Sequence, residues 1–109
     1  MISQTACTVF YTNLLNGDED FSATSPYAYK IALYDANADL GQNTTVYTTT
    51  GEVTGSGYVA GGKDLTVIPA TSSGNTAYVS FNNVSWANVS FTCRGALIYN
   101  SNTSAACFV

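Results

Sequence analysis

The chain has 109 residues and a formal net charge of −4, and only 9% of its side chains are charged, against a usual share of about 25%. Its three basic residues are scattered as Lys30, Lys63 and Arg94, which excludes the clustered positive surface that DNA or RNA binding requires. No apolar run approaches the roughly 20 residues needed to cross a bilayer, and no basic segment followed by an apolar one opens the chain, so neither a membrane partner nor a signal peptide is expected.

The length suits one domain, residues 1–109, large enough for a two-layer core. Ser, Thr and Asn take the surface positions that charges usually fill, a composition suited to short-range contacts with proteins or sugars rather than long-range steering. Cys7, Cys93 and Cys107 are odd in number and widely spaced, which does not suit a disulfide framework; buried free thiols are expected, with a Cys93–Cys107 bridge left open.

In chain order, Ile2, Ala6, Val9, Phe10 and Leu14 follow helical spacing. Ser3 is placed to cap this helix, and Gly17 stands where a helix end takes a left-handed residue. Asp18-Glu19-Asp20 reads as a solvated acidic loop, and Ser25-Pro26 as a turn. A strand follows over Tyr27–Tyr34, with Tyr29, Ile31 and Leu33 on one side. Asp35–Gly41 is a polar turn region, and Thr44–Thr50 is β-branched and therefore extended. Gly51–Gly62 carries five glycines and must be irregular or bulged, with Gly55, Gly57, Gly61 and Gly62 serving backbone geometry. Leu65–Ile68 reads as a short strand closed by Pro69, Thr76–Phe81 as another, and Ala105–Val109 as a last strand.

The stretch Val84–Tyr99 is the longest strand-like run. From Val89 its apolar residues alternate, placing Val89, Phe91, Cys93, Leu97 and Tyr99 on one face. Short strands separated by turn signals, after one short helix, indicate a mainly β chain: an antiparallel β-sandwich, jelly-roll or immunoglobulin-like, with a short N-terminal helix. Arg94 lies inside the strongest run, where a charge-assisted hydrogen bond to Glu52 or Asp35 would pin a loop to the sheet.

Three motifs suggest chemistry and fail on context. Gly57-Tyr-Val-Ala-Gly-Gly62-Lys63 has P-loop spacing, but Asp64 stands where Ser or Thr should hold magnesium, and a strand follows instead of a helix. Gly55-Ser-Gly57-Tyr-Val-Ala60 matches a looser dinucleotide fingerprint and also opens no helix. Asp35-Ala-Asn37-Ala-Asp39 alternates oxygen ligands as a calcium loop does, yet its glycine is one place late and Val46 stands where the closing Glu belongs. A turn capped by its own Asx side chains is the better reading. With no histidine and no paired carboxylates outside the acidic loop, no catalytic residue, metal or cofactor is expected. The sequons at Asn43, Asn83, Asn88 and Asn102 read as a consequence of composition.

Four segments together, in this order, resemble a family of small structural proteins of tailed bacteriophages. They are Asn13-Leu-Leu-Asn-Gly, Tyr29-Lys-Ile-Ala-Leu-Tyr, the run from Thr48 to Lys63 with its Gly-x-Gly-Tyr-x-Ala-Gly-Gly core, and Val84–Asn100 with Trp-Ala-Asn and Arg-Gly-Ala-Leu-Ile-Tyr. The resemblance implies a β-rich virion component of the capsid decoration or cement type, without catalytic residues. It would bind the major capsid protein on the particle exterior, self-associate as a homo-oligomer, and be made in the host bacterial cytoplasm. A tail, neck or fibre-associated role is the alternative within the same class. A carbohydrate-binding sandwich is the alternative outside it, with Tyr47, Tyr58 and Trp86 as its aromatic platform. On the decoration reading the capsid contact is expected at the chain ends, Ile2–Phe10 and Ala105–Val109 with Phe108 and Val109, and at Tyr58; the rival expectation is that both ends simply complete this chain's own sandwich.

Overall fold

A computed structural model describes residues 2–22, 27–87 and 90–109. The turn expected at Ser25-Pro26, the sequon at Asn88 and the first strand position at Val89 lie outside the described residues. The fold is mainly β, with one short helix, α1 (Thr8–Leu15), and strands β1 (Tyr29–Tyr34), β2 (Lys63–Leu65), β3 (Val67–Ser73), β4 (Thr76–Phe81), β5 (Gly95–Asn100) and β6 (Ala106–Phe108). One sheet has the order β2-β1-β5-β6 and the other is the β3-β4 hairpin; every strand pair is antiparallel.

The helix begins at Thr8, not after Ser3. Ile2 and Ala6 lie in β-bridges instead, because two backbone partners are waiting: Leu40 for Ile2 and Ser3, and the outer edge of β6 for Thr5–Cys7. Thr5 and Val109 exchange two backbone hydrogen bonds, Cys7 N–H donates to Cys107 O, and Ser3 N–H donates to Leu40 O. Helical spacing over so short a segment also accommodates alternation, and the free sheet edge decides between them. The far end of α1 closes as its sequence predicts. Gly17 takes φ +80°, its N–H donates to Leu14 O, and Asp18 N–H donates to Asn13 O, the pair of bonds that defines a Schellman stop.

β1 is the central strand. It pairs with β5 along its whole length and with β2 over Tyr29–Ile31, so Ala32 and Tyr34 are buried as well as Tyr29 and Leu33. Strand β5 starts only at Gly95, which corrects the reading of Val84–Tyr99 as one continuous strand. The reason lies in the partner: β1 ends at Tyr34, opposite Gly95, and turns away at Asp35, so that upstream of Arg94 the chain leaves β1 and makes only an isolated antiparallel bridge, Ser90 to Ser56. Cys93, placed on the buried face by its alternation, is exposed. Thr44–Thr50 is extended without forming a named strand; Ala106 N–H donates to Thr45 O and Tyr47 N–H donates to Ser104 O.

Pro69 does not close a strand. It sits within β3, where Pro69 and Ala70 together oppose Val79, a bulge that tolerates the missing N–H. The hairpin turns at Gly74, whose φ of +60° at the first central position of a two-residue loop is the type II′ requirement. Only the base of this hairpin packs inward, through Val67, Val79 and Phe81 against the core cluster of Phe10, Phe21, Tyr29, Leu65, Leu97 and Tyr99.

Candidate functional site

Two buried carboxylates dominate the interior, and neither is a solvated acid. Glu52 is 7% exposed. Its Oε1 accepts from the Tyr47 hydroxyl at 2.5 Å, and its Oε2 accepts from the Tyr58 hydroxyl at 2.5 Å and from Gly61 N–H at 2.8 Å. Leu33 N–H donates to the Tyr58 oxygen, and the Tyr99 hydroxyl donates to Gly61 O. One side chain thereby ties the glycine loop, the Thr44–Thr50 segment and β1 together. Glu19, at 5% exposed, corrects the expectation of an open acidic loop. Its Oε1 accepts from the Tyr29 hydroxyl and from Asn100 Nδ2, and the Cys107 thiol lies 3.6 Å from Oε2. A buried carboxylate is expensive unless its oxygens are satisfied, and neutral donors do that here.

Arg94 pairs with neither carboxylate expected of it. Its side chain is exposed; its backbone N–H extends the β1–β5 ladder by donating to Tyr34 O. The oxygens of Glu52 are taken by tyrosines and Gly61, and Asp35 Oδ1 caps its own turn by accepting from Asn37 N–H. Tyr58 is likewise absorbed into the fold: besides its two hydroxyl bonds it stacks with Trp86 at 6.2 Å and meets Phe91 edge-on at 5.7 Å. Trp86 is half-buried, with the Lys63 ammonium 5.2 Å from its ring centre, and Tyr47 stacks on Tyr99 at 4.7 Å. The aromatic trio weighed for sugar binding is therefore engaged with protein groups. Phe108 packs on Phe10 at 4.6 Å and pairs with Ile98, and Val109 is held by Thr5. Both chain ends complete this chain's own sheet, which removes them as free arms. All three cysteines are free, and Cys107 lies buried while Cys93 is exposed, so no bridge joins them.

Burial raises the hydroxyl pKa of Tyr34, Tyr47 and Tyr58 well above the ordinary tyrosine value, with the nearby Glu52 charge adding to the shift. Tyr29 and Tyr99 shift the same way, again chiefly through burial, and so do the thiols of Cys7 and Cys107. Unfolded thiols ionise near about pH 8.5 and unfolded tyrosines near about pH 10. Above those values the folded chain keeps protons that the unfolded chain releases, so stability is full at neutral pH and falls as pH rises. Alkaline titration should show a decline that begins near about pH 9 and steepens above about pH 10. Loss of β-sheet circular dichroism and the rise of tyrosinate absorbance from the buried set are expected in one cooperative step. Tyrosinate absorbance that rises to completion while the circular dichroism stays native would contradict this account.

What remains for contact lies elsewhere on the surface. Tyr11, Leu14 and Leu15 occupy the solvent side of α1 at 55%, 44% and 88% exposed, and their i, i+3 and i+4 spacing sets them side by side. Ile68 and Tyr78, at 42% and 50% exposed, lie on the outer face of the β3-β4 hairpin. The helical spacing of Ile2, Ala6, Val9, Phe10 and Leu14 left Tyr11 and Leu15 out, and within α1 only Phe10 is buried. A groove of about 550 Å³ runs between Ser3, Thr5, Asp39, Gln42, Thr44 and Thr48, and its walls contain no aromatic ring on which a sugar would stack. Among the described residues, no group of His, Cys, Asp or Glu side chains is arranged to hold a metal ion, and no helix is long and apolar enough to cross a membrane. No protein-family model, no curated protein and no solved structure matches this chain.

Proposed function

We propose that the chain is a non-enzymatic structural protein of a tailed-phage virion, a decoration protein that binds the major capsid protein on the outer lattice. The observation that supports this reading is the apolar patch Tyr11–Leu14–Leu15, three exposed side chains set together on one helix of a surface with few charges. On a lattice each such contact is repeated, so a modest patch suffices to resist shell expansion. The contact moves from the chain ends, which are tied into the sheet, to the exposed side of α1. We read the architecture as a reduced β-sandwich, in which Val67, Val79 and Phe81 of the hairpin face the core beneath the four-stranded sheet.

The test is a binding assay on particles of the encoding phage that have been stripped of this protein. Wild-type chain should rebind in simple ratio to the major capsid protein, with little change between about 50 and about 500 mM salt, because screening weakens charge pairs far more than apolar burial. Leu15→Ser should weaken rebinding by roughly 10- to 100-fold, the equivalent of one leucine's burial. Copies confined to the tail or neck, or a steep loss of binding with salt, would overturn the lattice reading.

A further inference from the structure

The β3-β4 hairpin is an unfinished sheet. Its two strands stand apart from the four-stranded sheet, and every residue from Ile68 to Tyr78 is exposed. An isolated two-stranded ribbon is marginal in water and gains from further strands. The two edges differ. β3 is partly covered, since Ala70 N–H donates to Phe21 O. Among the described residues, no segment other than β3 bonds to the backbone of Thr76–Phe81. Ser73 and Thr76 flank a two-residue loop and so form a hydrogen-bonded pair, which turns the N–H and C=O groups of Ala77 and Val79 to the open side.

Exposed edges normally carry charges that prevent pairing with another chain. This one carries none: no charged side chain occurs between Asp64 and Arg94. The net charge of −4 therefore resides outside the arm, and two arms can meet without like-charge repulsion. The edge is also self-complementary. Set antiparallel about a twofold axis at Tyr78, it places Ala77 opposite the second copy's Val79, Thr76 opposite its Ser80, and Tyr78 opposite its Tyr78. All are small, β-branched or aromatic residues that suit strand pairing.

We propose that β4 is the self-association strand of this protein: two copies join their β4 edges into one four-stranded antiparallel sheet of two hairpins. The contact is isologous and closes at the dimer. It uses a different surface from α1 and does not depend on the lattice reading.

Sedimentation of the full chain should give a dimer at tens of micromolar. Ala77→Lys, which sets a charge beside the axis, and Ala77→Pro, which removes an outward N–H, should each give a monomer; unchanged far-UV circular dichroism of the lysine variant shows that the fold survives. In a Cys93→Ser background, Tyr78→Cys should oxidise to a covalent dimer, because a directly opposed non-hydrogen-bonded pair lies about 4.5 Å apart at Cα, within disulfide reach. Thr71→Cys, on the same face but one strand back, should not. A wild-type chain that stays monomeric overturns the proposal, including one that takes up only added extended peptides of a capsid protein. A dimer that survives both Ala77 variants and leaves Tyr78→Cys unlinked overturns it as well.

Discussion

Glu52→Leu is expected to cost about 4 kcal/mol or more, a large part of the roughly 5–15 kcal/mol that holds a domain of this size folded. The leucine fills the space but accepts nothing. Three donors lose their acceptor together: the hydroxyls of Tyr47 and Tyr58 and the N–H of Gly61. Leaving a buried donor unsatisfied costs about 1–3 kcal/mol, and hydrogen bonds to a charged acceptor stand at the upper end. Glu52→Gln should be far milder, at about 1–2 kcal/mol, because its carbonyl can keep Tyr58 and Gly61 while its amide donates to the Tyr47 oxygen. A denaturant melt of both variants checks the ordering. Equal losses for Leu and Gln would mean that Glu52 contributes only volume.

Gly62→Ala is expected to lower stability by about 3–5 kcal/mol, combining the cost of a left-handed alanine with that of a backbone collision. Gly62 holds φ +81° where the glycine loop enters β2. A Cβ there would run into the carbonyl oxygen of Ile31 and stand 2.6 Å from its carbon and 2.8 Å from Ala32 Cα, all of it backbone in the central strand. Nothing flexible can move aside, so β2 must separate from β1. Gly17→Ala is the matched control. It has nearly the same φ, +80°, with nothing within 4 Å, and should cost only about 1 kcal/mol. The gap between the two melting midpoints, roughly 10 °C or more, isolates the collision from the dihedral. Equal shifts would show that φ alone matters at Gly62.

Local signals in the chain were reliable where one residue type answers one local demand. Gly17 ends α1, Gly57, Gly61 and Gly62 hold left-handed positions, and Asp35 caps its own turn. Gly55 has no such φ, but a Cβ on it would stand 2.7 Å from Ser90 O, so it too serves a close approach. The strands read over Tyr27–Tyr34, Thr76–Phe81 and the apolar run Ala105–Val109 correspond to β1, β4 and β6, the first and last shortened to Tyr29–Tyr34 and Ala106–Phe108. The helix start and the extent of the strand before Tyr99 differ from their local patterns for a common reason. Both depended on which backbone partner was waiting: β6 for Thr5–Cys7 and Leu40 for Ile2 and Ser3, but only an isolated bridge to Ser56 for the residues upstream of Arg94, and such partners are a property of the assembled fold.

The site residues divide along the same line. Composition alone determined that the surface is poor in charge and that no histidine serves any role. Tertiary structure alone decided which polar groups lie inside. Glu19 sits in an acidic triplet that reads as solvated, and Glu52 stands beside a glycine loop, where its expected partner was Arg94. Each becomes buried because donors converge on it: Tyr29 with the distant Asn100 and Cys107 on Glu19, and Tyr47, Tyr58 and Gly61, which lie five to nine residues away, on Glu52 as the loop folds back over it. Leu15 is the converse, an apolar residue left outside at 88% exposed because the short helix has only one side, at Phe10, against the core. Burial follows from the contacts a residue can complete in space, and residue type and local spacing do not state which contacts those are.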